Sequence, residues 1–200
     1  MPVSAMNLPD PLVVFALRME SQDLFERAAI PVLYCGVGKV NAAAALTRRL
    51  AEYRHAGRRL PRVINFGTVG SAKFPTGTVV ACHRFVQRDM DVTGLGFAPG
   101  ETPYDDLPGQ LEFPVTCPDL PAAVCGTGDS FQTAACPVPC DVVDMEAYAL
   151  AKVCTQENAE FVCIKYVTDG ADHAAADDWR ENLHRAADEF LAWYHRLTQR

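Results

Sequence analysis

The chain has 200 residues, 49% of them hydrophobic and 22% charged, which suits one folded domain and argues against disorder. Its formal net charge of −7 weighs against a nucleic-acid partner, which needs clustered positive charge to release counterions. No stretch approaches the roughly 20 apolar residues of a membrane span. MPVSAMNLPDP at the start has no basic n-region followed by an apolar core. A cytoplasmic protein with reduced thiols is therefore expected, despite the eight cysteines.

In chain order, short apolar β-rich runs alternate with helical patterns. LVVFA (12–16) precedes a helical SQDLFERAA (21–29), and PVLYC (31–35) passes through Gly36-Val37-Gly38 into KVNAAAALTRRLAEYRHA (39–56). The basic knot from Arg54 to Arg62 closes that helix, where positive charge complements the helix dipole. Strands follow at RVINF (62–66), TVVACHRFV (78–86) and AAVC (122–125), then a helix from MEAYALAKVCTQEN (145–158) and the strand FVCIKYVT (161–168). Pro- and Gly-rich stretches at 98–121 and 134–141 read as loops. A closing helix over roughly 177–197 carries Trp179, Leu183, Ala187, Phe190, Leu191, Tyr194 and Leu197 on one stripe, the mark of core or subunit contact.

Strands apolar throughout and alternating with helices predict an α/β fold, a three-layer α/β/α sandwich with a mixed, mostly parallel central sheet. Cys35, Cys82, Cys125 and Cys163 lie in or beside the apolar runs and read as small core hydrophobes. Cys136 and Cys140 have no second Cys or His pair at zinc-finger spacing, so no metal site is expected.

In an open α/β sheet ligands bind beyond the carboxyl ends of the strands. Those ends carry Glu20 after the first strand, Gly67-Thr68-Val69-Gly70-Ser71 after the third and Gly126-Thr127-Gly128-Asp129-Ser130-Phe131 after AAVC. Val143-Asp144-Met145-Glu146 precedes the next helix, and Asp169-Gly170 follows the last strand. Three acids and two glycine turns with few cations suit a neutral or cationic, hydroxyl-rich ligand better than a phosphate ester. Each residue alone has a structural explanation. Glu20 and Glu146 are acids at helix starts, Asp169-Gly170 is a common turn, and Phe131 is ordinary core. The helix dipole at Glu146 is expected to keep that carboxylate ionised.

GVGKVNAAAA (36–45), NFGTVGSA (65–72), RDMDVTGLG (88–96), GTGDSF (126–131), VDMEAYALA (143–151) and YVTDGAD (166–172) occur in this order. Together they resemble the nucleoside phosphorylase/nucleosidase superfamily, in its 5′-methylthioadenosine/S-adenosylhomocysteine nucleosidase branch. The resemblance implies hydrolysis of a purine N-glycosidic bond. Asp169 would protonate N7 of the departing base, and Glu20 would activate the attacking water. Glu146 would hold the ribose hydroxyls, with Met145 under the sugar, Thr68 beside water and ribose, and Gly70 among the substrate-binding residues. Phe131 would stack on the base, and Gln132 would meet it through its backbone. Val92, Leu95, Phe97 and Pro103 fall where a 5′-substituent pocket is built, partly by a neighbouring subunit, so a homodimer is implied. No cofactor is needed for acid–base hydrolysis; the implied partners are a nucleoside and water.

Phosphorolysis is the competing chemistry, but the arginine position before the third-strand glycine turn reads Asn65 or Phe66. A catalytically idle nucleoside-binding relative is the other alternative. The chain is short for the family. ERAAIPVLYCGVG leaves no room for the family's hairpin, and Pro-rich loops stand where two of its helices are expected.

Overall fold

The computed structural model describes residues 10–130, 138–170 and 175–199. Eight strands form one mixed sheet: β1 (Leu12–Phe15), β2 (Val32–Tyr34), β3 (Val63–Gly70), β4 (Val79–Gln87), β5 (Gln110–Glu112), β6 (Ala122–Thr127), β7 (Val142–Asp144) and β8 (Phe161–Asp169). β3 runs parallel to β1 and β8, β1 parallel to β2, and β6 parallel to both β4 and β7. The antiparallel pairs are β4–β8, β4–β5 and a single contact between Gly70 of β3 and Val143 of β7. These pairings make β3, β8, β4, β6 and β7 a closed ring, with β2–β1 attached to β3 and β5 attached to β4.

Alternation along the strands sends side chains to two cores. On one face Leu12, Val63, Phe85 and Phe161 pack against α3 (Lys39–His55) and α4 (Ala147–Glu157) through Leu46, Leu50 and Leu150. On the other, Phe15, Phe66, Ile164 and Tyr166 meet α5 (Ala175–Thr198), whose Phe190 ring centroid lies 5.2 Å from that of Phe66. This is the expected three-layer α/β/α arrangement. The stripe on the last helix is core: Leu183, Ala187, Phe190 and Leu197 are buried. The side chain of Trp179 lies outside the described residues. No helix among the described residues is long and apolar enough to cross a membrane.

Three elements differ from the sequence reading. The helix expected over 21–29 is two short turns, α1 (Arg18–Ser21) and α2 (Leu24–Arg27), because Gln22 and Asp23 adopt left-handed φ values of 49° and 57°. Asp tolerates that region, and its carboxylate is tied to Arg18 at 2.8 Å. β5 appears inside the loop expected over 98–121, and β7 just before the MEA helix. Each is only three residues long, too short to show a period in sequence. The basic knot is structural. Arg54 pairs with Glu157 at 2.6 Å, Arg62 pairs with Glu160 at 3.0 Å, and Arg58 lies over the Tyr53 ring.

Cys35, Cys82, Cys125 and Cys163 are buried free thiols, as expected of core hydrophobes. The Cys140 sulfur packs where a side chain on Gly126 would otherwise stand, 2.6 Å from its Cβ position. Cys136 lies outside the described residues.

Candidate active site at the strand ends

A cavity of about 220 Å³ opens at the ends of β1, β3, β6, β7 and β8. Glu20, Thr68, Gly70, Met145, Glu146 and Asp169 all line it, so the fold joins six positions spread over 150 residues of sequence. Val92, Leu95, Phe97 and Pro103 are not among its lining residues in the single chain. Leu95 is 72% exposed on a 3-10 turn (Thr93–Leu95), and Phe97 packs edge-on against the exposed Tyr104. Phe131 and Gln132 lie outside the described residues.

Glu20 does both things its position allowed. One carboxylate oxygen accepts the Leu17 N–H at 2.9 Å, closing the start of its own short helix. The other accepts from the Thr68 N–H at 3.2 Å and the Thr68 hydroxyl at 3.3 Å, which points the group into the cavity. Burial raises its pKa above the ordinary carboxylate range, against these hydrogen bonds and the charge of Lys165.

Asp169 ends β8, 5% exposed. Its carboxylate accepts the Thr168 hydroxyl at 2.9 Å, and its carbonyl accepts the Ser71 N–H at 3.0 Å, which locks the strand end to β3. Asp169 is thus the buried end of a central strand.

The acid that serves α4 is Asp144, not Glu146. One Asp144 oxygen accepts the Ala147 N–H at 2.9 Å, the other the Thr127 hydroxyl at 2.6 Å, and the Thr127 oxygen accepts the Tyr148 N–H. Glu146 makes no capping bond to its own helix. Its carboxylate crosses the cavity to accept the Gly38 N–H at 2.9 Å, at the start of α3. Burial, then the neighbouring Asp144 charge, pushes its pKa up to about 8. Desolvation thus opposes the ionised state expected at Glu146.

The expectation of few cations is also corrected. Lys165, on β8 and 1% exposed, places its ammonium 3.0 Å from Asp144. Burial opposes the charge, yet Asp144 prevails and the lysine is held well above its ordinary range. Asp144 is in turn kept below its ordinary value against burial, chiefly by Lys165. Gly67, paired with Lys165 in register, leaves the space the ammonium occupies, since a Cβ there would lie 3.0 Å from Nζ and 3.4 Å from Glu20. Inside IKYVT a lysine reads as one solvated position on a strand, so sequence periodicity hid it. Arg88, 5% exposed, is a second buried cation and lines the cavity.

The site's geometry is that of a small-molecule pocket with carboxylates converging from different strands. Comparison with known proteins agrees. The family model for the phosphorylase superfamily matches residues 25–136 and 130–197. The chain belongs to the phosphorylase superfamily. A 5′-methylthioadenosine/S-adenosylhomocysteine nucleosidase of Marinomonas sp. (strain MWYL1) is 30% identical over 187 residues, covering 82% of this chain and 78% of the relative. The nucleosidase of the same name from Geobacillus kaustophilus (strain HTA426) is 32% identical over 180 residues, covering 78% and 73%.

Among solved structures, the Neisseria meningitidis 5′-methylthioadenosine/S-adenosylhomocysteine nucleosidase in complex with methylthio-immucillin-A has a TM-score of 0.74. It is 26% identical over 89% of this chain and 93% of that one. A futalosine hydrolase of Helicobacter pylori shares the fold, with a TM-score of 0.79 at 18% identity over 92% and 96% of the two chains.

Proposed function

We propose that this superfamily member hydrolyses the N-glycosidic bond of a purine nucleoside of the 5′-methylthioadenosine/S-adenosylhomocysteine type. The observation that carries the reading is the convergence of Glu20, Glu146 and Asp169, each at most 8% exposed, on one cavity. The names of the relatives at 30% identity or more support the same chemistry.

N-glycoside cleavage passes through an oxocarbenium-like transition state, with charge building on the departing base. In this reading Asp169 gives the purine N7 its proton. Glu20, oriented by Thr68, takes a proton from the attacking water, and its raised pKa makes it a stronger base. Glu146 holds the ribose hydroxyls, with Met145 beneath the ring. Phe131 and Gln132 are assigned to the base. A homodimer, with Val92, Leu95, Phe97 and Pro103 meeting a neighbour's 5′ substituent, belongs to the same proposal, as does a cytoplasmic location.

Water rather than phosphate is the nucleophile. Of the two residues where an anion-binding arginine would stand, Asn65 is buried and donates to the Val14 and Phe66 carbonyls, and Phe66 is buried in the core. Adenine release from methylthioadenosine, S-adenosylhomocysteine and futalosine-type nucleosides, assayed with and without phosphate, should give equal rates and free ribosyl product. A strict phosphate requirement with ribose 1-phosphate as product would overturn the hydrolase reading. Silence on every nucleoside, together with measurable binding, would replace it by a binding protein.

The state of Glu146 makes ligand binding pH-dependent. Its ionised form accepts hydrogen bonds from two hydroxyls more strongly than the protonated form, and burial pushes its pKa up to about 8. Ribose-bearing ligands should therefore tighten as pH rises from 6.5 and level off above 8, with a proton released on binding at pH 7. Calorimetry in buffers of different ionisation enthalpy reads that proton. Glu146→Gln should lose both effects, and pH-independent affinity in the parent chain would remove the assignment.

A further inference from the structure

Arg88 stands in the cavity wall, yet the reaction above gives it no task. Its backbone N–H donates to Thr127 at the end of β6, and its side chain runs beneath the following turn. Nη2 donates to the Gly128 carbonyl at 3.3 Å and to the Ser130 carbonyl, and Nη1 donates to the Ser130 hydroxyl at 3.3 Å. Gly128 is required by this packing, because a Cβ there would lie 2.8 Å from the guanidinium carbon. The next residue, Asp89, grips the turn from its other side. One oxygen accepts the Asp129 N–H at 2.9 Å, and the other meets the Lys39 ammonium at 2.5 Å. The Lys39 N–H, at the start of α3, donates to Asp129 at 2.8 Å. The dipeptide thus brackets Gly128–Ser130 and ties it to the α3 turn that holds Glu146.

The bracket lies on the same lateral row of the sheet as Asp169. Asp169 pairs in register with Gly70, Gly70 with Val143, and Val143 with Gly126. Gly126 lies two residues before the bracketed turn. The row joins the carboxyl assigned to the purine N7, across β3 and β7, to the strand that leads into the segment Arg88 fixes. Asp169 and Ser130 line the same cavity. Thr68, which holds the Glu20 carboxylate, lies two residues before Gly70 on β3.

We propose that Arg88 is a positioning residue for the purine, setting the Gly128–Ser130 turn as the wall against which the base seats. The assignment rests on the nucleosidase reading for its ligand. It places purine discrimination in the side chain that holds this turn, so its loss acts first on base binding.

The test compares Arg88→Met, Arg88→Lys and Gly128→Ala in the full chain, with affinities for adenine and for a pyrrolidine ribose mimic lacking a base. Loss of charge-assisted hydrogen bonds to the turn should weaken adenine binding about tenfold in Arg88→Met. KM for the nucleoside should rise similarly, with kcat within about threefold of the parent value. Arg88→Lys should recover part of the loss, and Gly128→Ala, by displacing the guanidinium, should reproduce it. The ribose mimic should bind all variants as it binds the parent. Unchanged adenine affinity in Arg88→Met overturns the proposal, and so does an equal loss for adenine and the ribose mimic. A parent chain that releases no base overturns the reaction alone, since the adenine affinities still decide the role of Arg88.

Discussion

Asp169→Asn should lower base release by about 10²–10⁴-fold, the contribution typical of a positioned general acid. Asparagine keeps the size of the group and an oxygen able to accept the Thr168 hydroxyl, and it leaves the Ser71–Asp169 backbone bond untouched. The variant should therefore melt within about 3 °C of the parent, because roughly 1 kcal/mol shifts a domain of this size by about 2–4 °C. The two measurements together separate chemistry from folding. Turnover by initial-rate adenine assay must collapse while the melting midpoint holds. A riboside whose leaving group needs no proton, such as a nitrophenyl riboside, should lose far less. Undiminished release from purine nucleosides in a folded Asp169→Asn chain would take the acid role away from this residue.

The second large effect belongs to stability. Lys165→Met removes the cation that neutralises Asp144 in a region where both side chains are at most 2% exposed. Breaking a buried pair by deleting one partner costs about 3–5 kcal/mol, since the other charge is left desolvated. The melting midpoint should fall by about 10 °C. Lys165→Met with Asp144→Asn should recover most of that loss, because the amide still accepts from Thr127 or Ala147 and brings no charge to compensate. Lys165 also draws down the pKa values of Glu20 and Glu146, so the activity profile of Lys165→Met should move to higher pH. A midpoint unchanged in the single variant would mean that water reaches this pair, contrary to its burial.

How much of this was legible in sequence depends on the length of each signal. The long runs, LVVFA, RVINF, TVVACHRFV and FVCIKYVT, declared strands and two-sided burial, and the last helix declared its core stripe. β5 and β7 could not be read, because three residues carry no period and their pairing depends on distant partners. The three acids were visible because the rule that ligands gather beyond strand ends says where to look. Their electrostatics were not visible. Asp144 and Glu146 are two residues apart and both acidic, yet one is held ionised by Lys165 while the other is pushed up to about 8. That division follows from which β8 side chain lies behind Gly67, a cross-strand fact with no local trace. Arg88 escaped for a similar reason, since a charged residue after a strand reads as solvated until the Gly128 turn closes over it.

The closed ring of strands has an evolutionary consequence. Asp169, Thr68 and Asp144 sit on strands that belong to the ring, so their spacing is set by one circumference of hydrogen bonds. The hairpin and helices that the wider family carries would attach outside that circumference. Length can then be shed from the periphery, as in ERAAIPVLYCGVG and in the proline-rich stretch ahead of β6, without moving Asp169, Thr68 and Asp144 relative to one another. Deletions within the ring strands have no such freedom: removing a single residue from β8 would rotate Lys165 or Asp169 onto the opposite face.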